Sequence, residues 1–210
     1  MPDTLELISL PGRGRAECLR MMLVASQTPF LDHRINLTQW KEFRRREQLP
    51  DDTKLPLLRV NGKRTIVGGR QIGRFIAERV DLLGSSAQDA SDIEDIVATV
   101  ESLEPNLAPV IRATLTKNFV ARKDAWSEFK EKSLLPVIAE LTKKLDGKAH
   151  FVGDRLSWAD IAVAEAMSRF AHCFEANFIH GHPILKQHMM AVEREPGLAR
   201  YVSERPMAQF

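Results

Sequence analysis

The sequence predicts an α/β domain followed by an all-helical domain, on three observations. Residues 5–10 alternate like a short strand, with Leu5, Leu7 and Ser9 on one side and Glu6, Ile8 and Leu10 on the other. Asn61-Gly62 is flanked by two candidate strands, 56–60 and 63–67, and Asn-Gly readily takes the positive φ angles of a tight hairpin turn. Beyond Leu83 the apolar residues recur instead at threes and fours, as in Ile93, Ile96, Val97, Val100 and Leu103.

Taken in order, the first strand ends in a glycine-bearing turn, Pro11-Gly12-Arg13-Gly14. A helix follows over 16–25, with Leu19, Met22 and Leu23 on one face. Residues 30–35 form a candidate second strand and 40–47 a short charged helix. After the hairpin, Ile72, Phe75 and Ile76 mark a third helix, completing βαβαββα over residues 1–83. Gly84-Ser85-Ser86-Ala87 sits in a linker assigned to 84–88, and residues 89–210 make the all-α domain. Within it, Leu134, Val137, Ile138 and Leu141 share a face that Pro136 should kink or start. Ser157-Trp158-Ala159-Asp160 has the spacing of a capping box, the serine hydroxyl accepting from the first turn while the carboxylate reaches back.

Composition excludes several classes. Of 210 residues, 44% are hydrophobic and 28% charged, which is ordinary for a globular protein and excludes a disordered chain. No apolar run approaches a membrane span, and the segment from Met1 to Leu7 carries Asp3 and Glu6 where a secretory signal would be basic and then apolar. Cys18 and Cys173 form no CxxC pair and no metal-ligand spacing, so no metal is expected and the reducing cytoplasm is the simplest compartment. A net charge of +2 gives no field to steer nucleic acid, and Arg44-Arg45-Arg46 reads as a solvated helix face.

Several segments together resemble the cytosolic glutathione transferases of the sigma class, including the flatworm 28 kDa type. They are Gly12-Arg13-Gly14-Arg15-Ala16-Glu17, Asp32-His33-Arg34-Ile35, Trp40, Lys54-Leu55-Pro56, Gly153 to Asp160, and Arg205-Pro206 with Phe210. The resemblance implies a thioredoxin-like N-terminal domain, a helical C-terminal domain, a homodimer, a cis peptide before Pro56, and glutathione as co-substrate. Such chemistry needs the thiolate, because the thiol is a poor nucleophile, and a donor or cation aimed at the sulfur favours that form.

By that resemblance Ser9 stands at the catalytic tyrosine and Arg15 at the arginine that opens the first helix. Trp40, Arg44 and Lys54 stand where the glycyl end is held. Leu55 and Pro56 stand where a strand edge pairs with the cysteinyl backbone, and Gly68 and Gly69 at the helix start that holds the γ-glutamyl carboxylate. Glu101 lies next to the acidic position that reaches the partner subunit's glutathione. Plain readings stand beside these: Arg15 for packing, Trp40 as a part-buried aromatic, Ser9 as a strand-end residue.

Three departures set this chain apart. Serine falls a ring-length short of tyrosine's reach. Gly68-Gly69 replaces Gln-Ser, leaving only backbone N–H groups, and Glu101-Ser102 replaces an acidic pair. These features lead to the expectation of weak glutathione conjugation to, or isomerisation of, small hydrophobic electrophiles. The alternative is a non-catalytic ligand-binding or structural member like the S-crystallins. Thiol redox chemistry at Cys18 is set aside, since that residue reads as a small buried apolar group inside a helix.

Overall fold

The computed structural model describes residues 3–208, and Phe210, counted above in the terminal motif, lies outside them. The chain divides into two compact units. One takes in the chain as far as Leu82 and returns for Glu195–Ala208; the other runs from Leu83 to Arg194.

The first unit is built on four strands, β1 (Leu5–Ser9), β2 (Leu31–Arg34), β3 (Leu57–Val60) and β4 (Arg64–Val67). Their order is β2-β1-β3-β4, with β2 parallel to β1 and the other neighbours antiparallel. The β3–β4 turn has Asn61 at φ 54° and Gly62 at φ 66°, the two positive angles that a type I′ hairpin needs. Helices α1 (Glu17–Ala25), α2 (Leu37–Arg46) and α3 (Gly69–Arg79) connect and cover the sheet. Central β1 buries Leu7 on one face and also Ile8 on the other, against the one-sided burial that alternation alone suggests. Ile8 packs with Ile35, Trp40, Phe43 and Leu57 in a core of its own, because helices cover both faces of the sheet.

Helix α2 starts three residues before the sequence placed it. Asn36 accepts from the Gln39 N–H while the Gln39 side chain accepts from the Asn36 N–H, a capping box that the charged sequence after it obscures. A short helix α10 (Ala199–Glu204) completes this unit, described after those of the second unit in chain order.

The second unit holds α4 (Ala87–Glu101), α5 (Glu104–Leu115), α6 (Phe119–Phe129), α7 (Leu135–Leu145), α8 (Trp158–Cys173) and α9 (Pro183–Glu193). Pro136 stands in the first turn of α7, where a helix-starting proline is expected, and α6 leads into α7 through one π turn, Lys130–Leu134, where Leu135 donates to the Lys130 carbonyl. A proline has no N–H to donate, and the widened turn absorbs the missing bond. Residues from Trp158 to Ala171 of α8 are all buried, so this helix is the axis of the unit.

The segment 195–208, which the sequence reading left in the helical domain, belongs with the first unit. Tyr201 donates to Glu17 Oε1 at 3.1 Å, and the Arg205 guanidinium lies 3.6 Å from the same carboxylate. Side-chain pairing across 184 residues of sequence leaves no periodic trace along the chain.

Among the described residues, no helix is long and apolar enough to cross a membrane. None of their His, Cys, Asp and Glu side chains gather in threes to hold a metal.

Candidate active site

The loop after β1 turns through Gly12 and Gly14 into a single turn of 3-10 helix at Gly14–Ala16, and this places Arg15 over the β3 approach. The Arg15 Nη2 donates to the Leu55 carbonyl at 3.1 Å. Leu55-Pro56 is a cis peptide, as the resemblance implies. Gly68 donates its N–H to the Pro56 carbonyl at 3.2 Å, and a Cβ built on Gly69 would lie 3.9 Å from the Arg15 carbonyl. Five of the expected residues, Arg15, Leu55, Pro56, Gly68 and Gly69, are therefore drawn together by three separate turns of chain. Gly68 has φ +94°, a backbone conformation that L side chains rarely adopt, so any other residue there is strained. Its N–H is spent on Pro56, so the amide that opens α3 toward a ligand is that of Gly69 rather than those of both glycines.

Ser9 is 2% exposed and sits at the end of β1 against Arg20. The Arg20 guanidinium, 0% exposed, donates to Ser9 Oγ at 2.5 Å and to the Gly12 carbonyl, Glu17 Oε2 and Asp32 Oδ1 at 3.0 Å each. Arg34 reaches the other Asp32 oxygen at 2.7 Å. The Ser9 hydroxyl proton points to the Leu10 carbonyl at 3.3 Å, a long and weak contact. Ser9 is thus more than a plain strand-end residue. With the Gly12 carbonyl it is a neutral acceptor on a buried charge network; the segments that carry the resemblance contain Gly12, Glu17, Asp32 and Arg34 but not Arg20, which ties them together and whose trace in the sequence is its spacing of three from Glu17 inside an apolar helix. Tyr201, the only tyrosine in the chain, also joins this network. Burial and the neighbouring Glu17 carboxylate push its phenol far above the ordinary range, so it is no substitute acid.

Of the remaining candidates, Trp40 belongs to the core cluster that Leu55 packs against, and Lys54 adjoins Leu55 in the chain. Trp40 is 9% exposed and packs on Phe43 with ring centroids 6.0 Å apart, so most of its surface is core. Arg44 is tied to Asp51, through the carboxylate at 3.1 Å and the backbone carbonyl. With Lys41 it borders an open cleft of about 570 Å³ beside α2. Lys54 is exposed. Glu101 ends α4 in the second unit, and the Ser102 hydroxyl turns back to its own helix at the Thr99 carbonyl.

Comparison with known proteins accords with this geometry. Residues 107–205 match the family model described as the glutathione S-transferase C-terminal domain. The chain is 30% identical over 216 residues to the class-mu 28 kDa glutathione S-transferase isozyme of Schistosoma japonicum, covering 98% of this chain and 100% of that one. It is 23% identical to the S-crystallin SL11 of Nototodarus sloanii over 95% of each chain. A monomeric glutathione S-transferase of the hookworm Necator americanus superposes with a TM-score of 0.84 at 25% identity, over 99% of this chain and 100% of the other. End-to-end similarity at this level, on a cis-proline turn that meets the start of α3 as the resemblance requires, makes the chain a member of the glutathione transferase family.

Proposed function

We propose that the chain binds glutathione in its first unit and conjugates it slowly to small hydrophobic electrophiles, in the manner of a sigma-class detoxifying enzyme of the cytoplasm. The observation that carries this reading is the guanidinium of Arg15 held on the Leu55 carbonyl, beside the cis peptide and the start of α3. A cation there favours the sulfur anion of a tripeptide whose cysteinyl backbone pairs with Leu55. Ser9, buried at the end of β1, contributes indirectly: its oxygen is one of the acceptors that hold the Arg20 guanidinium, which also donates to Gly12 in the turn that carries Arg15. The thiolate then attacks the electrophile and displaces the leaving group. The γ-glutamyl carboxylate takes the Gly69 amide at the start of α3, and the glycyl end lies toward Lys41 and Arg44.

Each charge-assisted contact absent relative to the family is worth about 1.5–3 kcal/mol, so losing two turns a micromolar dissociation constant into a millimolar one. The test is turnover of a chromogenic aryl halide at millimolar glutathione. Slow, saturable conjugation is expected; no turnover above the uncatalysed rate contradicts the reading.

A homodimer is part of this proposal. Helix α4 carries Asp89, Asp92, Glu94, Asp95 and Glu101 with no lysine or arginine, while α3 presents Arg70, Arg74 and Arg79. These are complementary surfaces for a second copy. Because the hookworm relative is monomeric, mass in solution decides the point: light scattering is expected to give twice the 23.8 kDa of one chain, and a mass of 23.8 kDa contradicts pairing.

The second reading, a ligand-binding or structural protein, is favoured by Trp40 and Arg44 being engaged within the protein and by the S-crystallin among the relatives. An apolar dye that binds and is indifferent to glutathione supports it.

A further inference from the structure

Helix α6 carries a stripe unrelated to the first unit. Phe119, Arg122, Lys123, Trp126 and Ser127 recur at intervals of three and four and so share one face, which Lys130 continues at the start of the π turn. With Phe174 and Glu175 from the end of α8, that face borders a cleft of about 420 Å³, within the size range of small-molecule sites. The cleft lies wholly inside the second unit.

Its floor is aromatic. Trp126 stacks on Phe174 with ring centroids 5.1 Å apart and planes 17° from parallel. Phe119 is 72% exposed, a large ring left in water at the lip of the cleft, where covering it would recover hydrophobic free energy. The polar groups are predominantly basic. Glu175 accepts from the Trp126 indole N–H at 2.6 Å and from Lys130 at 3.0 Å. The indole hydrogen bond, against a desolvation that works the other way, and then Lys130 hold its carboxyl below the ordinary range. Glu175 and Lys130 therefore satisfy each other. Arg122 does not spend its charge on a carboxylate: it donates to the Cys173 carbonyl and lies 5.7 Å over the Phe174 ring, and its Nε–H is enclosed without an acceptor. Lys123 stands beside it on the open side. The cleft thus offers stacking surface and two cations at one edge, with its single acid already neutralised.

We propose that this cleft is a binding site for a planar aromatic carboxylate or sulfonate, its ring against Trp126 and Phe119 and its anion on Arg122 and Lys123. The combination selects for both properties at once: an aliphatic anion loses the stacking, and an uncharged arene leaves the guanidinium and ammonium unmatched.

Calorimetric titration of the full chain with 1-naphthoate tests this. One naphthoate per chain is expected, with the uncharged 1-naphthalenemethanol weaker by about tenfold, the factor that one charge-assisted contact supplies. Two substitutions at exposed positions leave the packing intact. Lys123→Glu is expected to weaken naphthoate binding about fivefold or more, and Ser127→Phe to abolish it by filling the cleft. Saturating glutathione is expected to leave naphthoate affinity unchanged, since the two sites lie in different units. Absence of binding at millimolar naphthoate overturns the proposal. So does wild-type affinity in either variant, equal binding of the uncharged analogue, or competition by glutathione.

Discussion

A buried guanidinium needs an acceptor for each N–H, and at Arg20 the Ser9 hydroxyl is one of four. Ser9→Ala removes that acceptor without opening the site to water. The expected result is a loss of about 1–3 kcal/mol in denaturant unfolding, the cost of leaving a charged donor unmet, together with reduced turnover. Unchanged stability would show that Arg20 does not depend on this oxygen. Ser9→Tyr is expected to restore little activity, because the position is enclosed and the contacts absent at Gly68 and Gly69 stay absent. The sequence revealed which residue types stood where, through their order around Pro56 and the turn before α1. It did not reveal their engagements. Arg44 reads as a free cation until Asp51 is seen beside it, and Gly68 reads as a free amide until its N–H is found on Pro56. Such short-range competition is decided by side-chain and backbone geometry, which carries no pattern along the chain.

At the start of α8 the pattern and the geometry agree. Ser157 and Asp160 form the reciprocal cap that their spacing predicts. The structure adds that the Asp160 carboxylate is 0% exposed and also accepts from the Phe151 N–H at 2.9 Å and from His188 Nε2 at 3.0 Å. Burial pushes this carboxyl up, but the hydrogen bonds from His188, Ser157 and Phe151 outweigh it, and the group titrates below its ordinary 3.8. A carboxyl lowered on folding contributes stability above its unfolded value and loses it as pH falls through the folded one. Asp160→Asn is expected to cost about 2 kcal/mol at neutral pH, with the two stability curves converging in acid below pH 3.8. Curves that stay parallel through that range would show that the charge is not what stabilises the cap. The hairpin at Asn61-Gly62 was legible for the same reason as the cap: both are local, and each is fixed within a few residues. The π turn before Pro136 was not, since a proline announces a missing donor and not how the preceding turn will absorb it.

The division into two units was legible from the change of period near Leu83, and the family from segments spread over nearly the whole chain. The return of 195–208 to the first unit was not, because it rests on Tyr201, Glu17 and Arg205 meeting across most of the chain's length. What joins these observations is the glutathione site we propose on Arg15, the Leu55-Pro56 turn and Gly69, which the structure brings together. Titration calorimetry with reduced glutathione, on the wild type and on Arg15→Met, measures that directly. A single site with a dissociation constant of about 1 mM, weakened about tenfold by Arg15→Met, is the expected result. No heat at tens of millimolar glutathione, or an affinity indifferent to Arg15→Met, would contradict it.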